Sequence, residues 1–587
     1  MKVNKNLNHT TAHLMAAAVY ELFPDTQLAF GPAIEEGYYY DFKFANPLLL
    51  EDLINIEKRM KQLSKRNIHM IEVDEKTYFE FYSKRNADQP FKKYMQEKLA
   101  TEEKNITYYS LFDEQKKEHV FVDLCAGGHV ESVSQIKYFK VLNLSGSYWL
   151  GDSNNEQLTR IYGTCWESDS ELKEYLDLVK MRKENDHRQL NKQLKLFSFH
   201  KLGGQGLPFW LENGMKVRNS LRNLVLKLDK KYGFTEVLTP HFGSEDLYRT
   251  SGHLDHYKDD MFPVIEAEGE RMIPRPMTCP HHLVLFNSEF HSYRDLPKRY
   301  SEQARLYRYE KSGALTGLER VRGMDLTEGH LLVTPEQIEQ EVFAMYSQIT
   351  EMLSKFDLKI DYISLSLRDK EDKEKYFQDD LMWESSEKML KNVLSKMNVV
   401  YEEKIGEAAF YGPKIDIQIK TMLNHEITVS TIQLDFLLPK RFDCWYINKD
   451  NEKQTPVMIH RGLIGTYERF ISILLEQYKG NFPLWLAPNK IKIIPVALDD
   501  KLVEYCKQIQ KEFAFNELDA EIDLKDERLP KKIREAHFEK YKYQLIIGEN
   551  ELQNNEISVR EFGSNETKLY KLDDFILLVK NKISKYE

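Results

Sequence analysis

Between Arg305 and His330 the chain reads RLYRYEKSGALTGLERVRGMDLTEGH. This predicts a strand of alternating character, a break at Ser312-Gly313, a loop, and a second strand that carries Arg320 and Arg322 and ends near His330. Residues two apart on a strand share a face, so Arg308 and Glu310 are expected to point the same way. Two readings fit that pair. One is a surface hairpin with an Arg–Glu cross-pair, common on sheets. The other is a clamp for a polyphosphate beside an amine, in which the guanidinium fork grips phosphate oxygens and the acid takes up a donor. Both put a pair of strands at the centre of the chain.

A chain of 587 residues predicts roughly three or four domains. Hydrophobic residues make up 42% and charged residues 30%, as in an ordinary globular protein. No run of about 18 apolar residues occurs, so no membrane span is expected. The opening MKVNKNLNHTTAH has no hydrophobic signal core, and a cytoplasmic location is expected. The five cysteines are scattered and odd in number, which points to reduced thiols rather than a disulfide framework. A net charge of −10 is not that of a generally basic nucleic-acid binder, although local patches govern such binding in a large protein.

Near the start, NHTTAH opens the apolar run LMAAAVYELF, and Asn8 or Thr10 is expected to cap a helix there. His9 and His13, four apart, share one helix face. DLCAGGHV later places Cys125 and His129 around a flexible Gly-Gly. These four are metal-ligand types, and chemistry alone points to zinc; capping or packing residues are the plainer alternative. GSYWLGDSNNEQLTRIYGT carries strand and turn signals. From about 171 to 199 the sequence is charged, without glycine or proline, and predicts one linker helix. Gly203-Gly204-Gln205-Gly206 reads as a loop. Val217, Leu221, Leu224, Val225 and Leu228 recur at helical spacing and Gly233 ends that helix, before a strand TEVLTP. YGPKID is a turn leading into a strand with Ile415, Ile417 and Ile419 on one face. After Pro483 and Pro488, strand-like runs alternate with helical ones, which predicts an α/β domain with a mixed sheet.

RxE, a loop and RVRG, followed by GTYERF near Gly465, resemble motifs 2 and 3 of class II aminoacyl-tRNA synthetases. With MTCP, YGPKID, TIQLDF and MIHRGLIGTYERF, the chain resembles the threonyl-tRNA synthetase family over nearly its whole length. The resemblance implies an α+β multidomain protein. It places an α+β editing domain at 1–170, the linker helix at 171–199, an antiparallel-sheet class II catalytic domain at 200–486, and an α/β anticodon-binding domain at 487–587. Many bacterial relatives carry a ubiquitin-like domain before the editing domain, and none is expected here.

The implied activity is ATP-dependent joining of threonine to the 3′ end of tRNA(Thr), in a homodimer whose interface the helix–strand–proline unit ending at Pro240 would build. Arg308 would hold the α-phosphate, Glu310 the adenine amino group or the ATP loop, and Arg320 and Arg469 the outer phosphates, with magnesium. Arg469 is placed at a helix start, where anions are favoured. Cys279, His330 and His460 would bind one zinc ion per subunit. His253, Tyr411, Lys414, Gln433 and Glu328 match substrate and adenylate positions. His9, His13, Lys92, Asp123, Cys125 and His129 match the site that hydrolyses seryl-tRNA, which in that family works without a bound metal. Such a site answers a physical need, since serine and threonine differ by one methyl group, worth only about 1–3 kcal/mol of discrimination. Glu551 and Arg560 match anticodon-reading positions. One segment departs from the family. FTQDDAH is replaced by Met324-Asp325-Leu326-Thr327-Glu328-Gly329-His330, so a glutamine becomes Leu326, and the motif 2 loop histidine becomes Thr316. The rival readings are a paralogue that binds RNA as a regulator, or a deacylase that only edits.

Overall fold

The central strand pair is present with different bounds, Lys298–Tyr307 and Gly323–Val333, antiparallel with Tyr300 opposite His330 and Glu302 opposite Glu328. Arg308 and Glu310 follow the first strand and Arg320 and Arg322 precede the second, so all four lie in the connecting loop rather than on strands. The loop is drawn out of the ladder by other partners. The backbone N–H groups of Arg322 and Gly323 donate to the Gly206 carbonyl at 2.7 and 3.3 Å, and Arg322 Nε donates to the Glu310 carbonyl at 2.9 Å. The glycine-rich loop at 203–206 therefore shapes the connection.

The computed structural model describes residues 3–84, 88–102, 104–152, 154–421 and 426–587. It divides into two compact units, Met1–Lys180 and Met181–Glu587. In the second, an eight-stranded sheet runs in the order Thr235–Glu236, Lys298–Tyr307, Gly323–Val333, Val457–Thr466, Glu426–Asp435, Lys414–Lys420, Ile360–Leu367, Tyr401–Ile405. Its inner pairings are antiparallel and the two outermost are parallel. Register aligns one row straight across it: Tyr300, His330, His460, Gln433, Lys414 and Ser366 stand directly opposite one another on successive strands. Facing residues of a ladder project to the same side. On the other side, Leu331, Ile459, Ile432, Ile415 and Leu365 join a buried core with the helices Glu212–Lys231, Ile338–Ser354 and Tyr467–Gln477. All five apolar positions anticipated from Val217 to Leu228 are buried in it.

Between Leu326 and Glu328 the ladder shifts: Leu326 faces Thr466 but Glu328 faces Gly462. Two extra residues of the strand Val457–Thr466 bulge out. The buried Thr327 hydroxyl occupies the gap, accepting from the Ile464 N–H at 3.1 Å and donating to the Gly465 carbonyl at 3.0 Å. Gly465 takes φ +62°, which glycine adopts without strain. On the core side, Arg461 is wholly buried, 2.7 Å from Asp229 of the helix Glu212–Lys231 and 4.5 Å above the Phe234 ring.

The first unit builds on the helix Lys5–Leu22, packed against a five-stranded sheet that includes Gly37–Lys43, Tyr138–Tyr148 and Gln157–Trp166. Neither Asn8 nor Thr10 caps this helix. Asn4 does, accepting the Leu7 N–H, while Asn8 lies inside it and pairs with both backbone groups of Cys165 at 2.8 and 2.9 Å. The predicted single linker helix is two, Asp169–Glu184 and His187–Leu194. Asp186 caps the second by accepting the Arg188 N–H, which starts a new helix where the charged pattern alone showed no break. The C-terminal strands form a mixed sheet in the order Ala520–Ile522, Ile491–Pro495, Tyr543–Ile547, Ile557–Glu561, Thr567–Tyr570. Among the described residues no helix is long and apolar enough to cross a membrane.

Removing one partner of a buried ion pair leaves an uncompensated charge, at a cost of about 3–5 kcal/mol. Asp229→Ala is therefore expected to lower the thermal unfolding midpoint of the full chain sharply. Asp229→Leu combined with Arg461→Met should recover most of the loss, as read by differential scanning calorimetry.

Candidate functional site

The face of the eight-stranded sheet that carries His330, His460, Gln433 and Lys414 forms the floor of a cleft of about 1020 Å³. Three arginines reach it from different elements: Arg308 after the first central strand, Arg320 from the loop, and Arg469 in the first turn of the helix Tyr467–Gln477. Arg308 is anchored by donating Nε to the Pro276 carbonyl at 3.2 Å, and Arg469 by donating Nε to the Glu319 carbonyl at 3.1 Å. Arg320 pairs with Glu310 at 2.8 Å, so the same-strand arrangement expected for Arg308 and Glu310 is replaced by a pairing within the loop. Burial, with Arg320 and Arg308 near, pulls the Arg469 pKa down even though Glu319 opposes it. Three cations facing one cleft make a strong field for an anion.

Tyr411, Lys414, Gln433, His253 and Glu328 line the same cleft. The Tyr411 hydroxyl donates to Gln433 Oε1 at 3.3 Å. Lys414 Nζ lies 2.6 Å from Asp416, which stands two residues on along the same strand face. His253 Nδ1 is 2.7 Å from the Ser251 hydroxyl, and burial followed by the nearby His460 pushes its pKa down to about 3. Glu328 pairs with the Thr278 hydroxyl and lies 3.4 Å from His330 Nε2. Leu326 also lines the cleft, against the buried cluster of Ala304, Leu306, Val321 and Met324. Its apolar side chain is thus satisfied by packing.

Cys279, at the start of the helix Cys279–Phe286, comes together with His330 and His460: the ligand atoms of all three lie within 4.8 Å of one another. Asp435 Oδ1 accepts the N–H groups of Leu437 and Leu438, leaving Oδ2 for His460 Nε2 at 2.9 Å. His330 Nδ1 is 2.8 Å from His282 Nδ1. With those nitrogens engaged, the remaining ones, His330 Nε2 and His460 Nδ1, face each other at 3.0 Å. Burial, then His460 and His282, hold the His330 pKa well below its usual value, so it presents a lone pair. Two such lone pairs beside a thiol fit a metal that accepts imidazole and thiolate, which is the donor preference of zinc with one position left open. Asp435, Asp416, His282 and Glu302 were not singled out from the sequence. Their signal was there: Asp435 and Asp416 follow Gln433 and Lys414 by two on a strand, and His282 follows Cys279 by three on a helix.

In the first unit, Cys125 Sγ lies 3.4 Å from His9 Nε2 and 3.2 Å from His129 Nε2. His13 Nδ1 is 3.1 Å from Asp123, which also pairs with Lys92 and accepts the Tyr40 hydroxyl at 2.7 Å. Gly127 and Gly128 take φ +87° and +82° in the turn between Cys125 and His129. Burial opposes charge at Asp123, His13 and Cys125 and is outweighed there, whereas at His129 burial prevails and lowers the pKa. Asp123 and then Cys125 raise His13 to about 9, while His129 and then His13 lower the Cys125 thiol to about 3. The pocket therefore holds a thiolate beside an imidazolium. In the C-terminal sheet domain, Glu551 accepts the Gly548 N–H at 2.8 Å and the Ser558 hydroxyl at 2.6 Å. Arg560 donates to the Ser564 carbonyl at 2.9 Å and to Asn565 at 2.6 Å.

Residues 262–478 match the tRNA synthetase class II core domain (G, H, P, S and T), and residues 490–582 the anticodon binding domain. Residues 106–162 match the threonyl and alanyl tRNA synthetase second additional domain. Over 581 residues the chain is 54% identical to a threonine–tRNA ligase of Mycoplasmopsis pulmonis, covering 99% of this chain and 97% of the relative. This chain belongs to the threonine–tRNA ligase family. A family member from Oceanobacillus iheyensis is 43% identical over 579 residues, covering 98% of this chain and 88% of its own. The crystal structure of the RNA binding domain of threonyl-tRNA synthetase from Cryptosporidium parvum Iowa II is 35% identical with a TM-score of 0.64, covering 68% of this chain and 98% of that one. The family's class II core, anticodon-binding domain and second additional domain are all present.

The other four cysteines are buried, and burial pushes their thiols up, to about 11 for Cys165 and about 12 for Cys444 and Cys506. Iodoacetamide at pH 6 should thus alkylate Cys125 first in the native full chain. Its rate should stay nearly flat from pH 5 to 8, because a thiolate already formed gains nothing from added base. Peptide mass mapping across that range would read this out.

Proposed function

We propose that this chain activates threonine with ATP, transfers it to the 3′ end of tRNA(Thr), and hydrolyses seryl-tRNA at a second site. The observation that carries the ligase reading is the single cleft in which Cys279, His460, Gln433 and Lys414 face Arg308, Arg320 and Arg469. Arg308 is assigned to the α-phosphate, where charge grows as the threonine carboxylate attacks in line; such displacement relies on positioning and charge neutralisation. Arg320 and Arg469 are assigned to the outer phosphates with magnesium, and Glu310, released from Arg320, to the adenine amino group. Tyr411, Lys414, Gln433, His253 and Glu328 border the amino acid and its adenylate.

Cys279, His330 and His460 would hold zinc. Zinc held there would take the threonine amine and hydroxyl as ligands, and a site built to bind a hydroxyl rejects an isostere without it by about 10⁴-fold or more. Valine is that isostere. In the first unit, His9, His13, Cys125 and His129, steadied by Lys92 and Asp123, are assigned to positioning water against the seryl ester. Glu551 and Arg560 are assigned to the anticodon, whose unstacked bases present hydrogen-bonding edges. A homodimer formed around Pro240 agrees with the exposure of Leu238, 80% accessible beside it. The readings as a regulator or an editing-only deacylase are not favoured, because the Leu326 and Thr316 departures leave the arginines and the metal-type triad converging on one cleft.

Threonine-dependent ATP–pyrophosphate exchange should occur, weaker with serine and absent with valine. Arg308→Ala should lower it by about 10²–10³-fold, the usual cost of losing one transition-state donor, while leaving seryl-tRNA hydrolysis intact. Cys125→Ala should do the reverse. Absence of exchange with every amino acid would exclude the ligase reading.

A further inference from the structure

Behind the metal-type triad runs a buried chain of polar groups that lies outside the lining of the cleft. Arg275 Nη2 donates to Glu302 Oε1 at 2.7 Å, and the Thr239 hydroxyl donates to Glu302 Oε2 at 2.8 Å. His282 Nε2 lies 3.0 Å from the same Oε2, and His282 Nδ1 lies 2.8 Å from His330 Nδ1. Arg275, His282 and His330 are wholly buried and Glu302 nearly so, so no water competes for these contacts. Burial would raise the Glu302 pKa, but His282 and Arg275 outweigh it and bring it down to about 2. Glu302 is thus an ionised carboxylate that only accepts.

That fixes the direction of every proton in the chain. His282 must donate from Nε2 to Glu302. A singly protonated His282 then offers a lone pair at Nδ1, and the nearest donor to it is Nδ1–H of His330. With its proton committed there, His330 turns the Nε2 lone pair toward His460 and Cys279. Were His282 reversed, its Nδ1–H would force the His330 proton to Nε2, at the place a metal would occupy. Asp435 performs the corresponding service for His460 directly. The two histidines are therefore oriented by different means, one by a carboxylate and the other by a carboxylate acting through a second imidazole.

We propose that His282 is a positioning residue which, held by Glu302, fixes the proton of His330 on Nδ1 and so sets zinc affinity at Cys279, His330 and His460. The inference rests on the zinc reading given above. Outer partners of this kind typically change metal affinity by about 10–100-fold.

The two amide replacements of His282 separate orientation from bulk. Asparagine places an oxygen where Nδ1 stood and keeps the acceptor for His330. Glutamine places its amide near Nε2 and keeps the contact with Glu302, but loses that acceptor. Zinc affinity of the full chain would be measured by competition with a chromogenic chelator. The cobalt-substituted protein would report ligand geometry through its d–d and thiolate charge-transfer bands. His282→Asn should stay within roughly threefold of wild type, while His282→Gln should weaken binding by about 10–100-fold and alter the cobalt bands. Glu302→Gln, which would turn a donor toward His282, should weaken zinc alone but have little further effect on the His282→Asn background, a coupling read by a double-mutant cycle. Equal zinc affinity in Asn, Gln and wild-type proteins would overturn the proposal. So would equal losses in the Asn and Gln variants, or an additive Glu302→Gln effect. Should His282→Gln not fold, the Glu302→Gln cycle decides alone. If the wild type takes up no zinc that Cys279→Ser abolishes, the zinc reading itself fails and the inference with it.

Discussion

Everything in the arginine-lined cleft depends on one row of the sheet. Tyr300, His330, His460, Gln433 and Lys414 stand opposite one another on five strands, and backbone hydrogen bonds between strands hold them there. Because strand side chains alternate, a slip of one residue in any of these pairings would send part of the row into the apolar core. The isoleucines and leucines on the far face make such a slip costly, since each would exchange a buried site for the polar cleft. The hydrophobic core and the chemistry are thus two faces of a single register.

The second row reinforces the first. Glu302, Glu328, Gly462, Thr431 and Asp416 line up beside it, which sets acids two residues from Tyr300, His330 and Lys414 on the same face. Asp435 serves His460, Asp416 serves Lys414, and Glu302 reaches His330 through His282. These acids are buried and all are paired, which is the condition under which buried charge is tolerated. The N-terminal pocket follows the same rule with different parts. Asp123 gathers Lys92, His13 and Tyr40, and the charge it stabilises on His13 in turn stabilises the thiolate of Cys125.

Much of this was legible in the sequence, and unevenly so. Helices with a strong apolar stripe, such as Val217 to Leu228, and strands with alternating isoleucines, such as Ile415 to Ile419, were read from periodicity because burial imposes it. The residues of the cleft were reached only through their motifs, since Cys279, His330 and His460 are far apart in the chain and no spacing joins them. Boundaries failed where tertiary contacts decide. The Arg308 to Arg322 loop leaves the ladder because Gly206 captures its backbone, and Asn8 leaves the role of cap because Cys165 offers it two partners. The break at Asp186 depended on one capping side chain in an otherwise helical run. The supporting acids were visible at intervals of two, but nothing local distinguishes an acid that steadies a histidine from one that faces water.

The bulge opposite Leu326 inserts two residues rather than one, and Thr327 closes it by bonding to the Ile464 N–H and the Gly465 carbonyl. An even insertion preserves parity. Strand Val457–Thr466 therefore carries His460 on the cleft side while its last residues are displaced enough to start the helix that bears Arg469. The strand's length and its facing are in this way uncoupled. With side chains alternating along the strand, a change of two residues in the lead into that helix keeps its parity, whereas a change of one would have to be absorbed between the ladder that holds His460 and Arg461 and the helix itself.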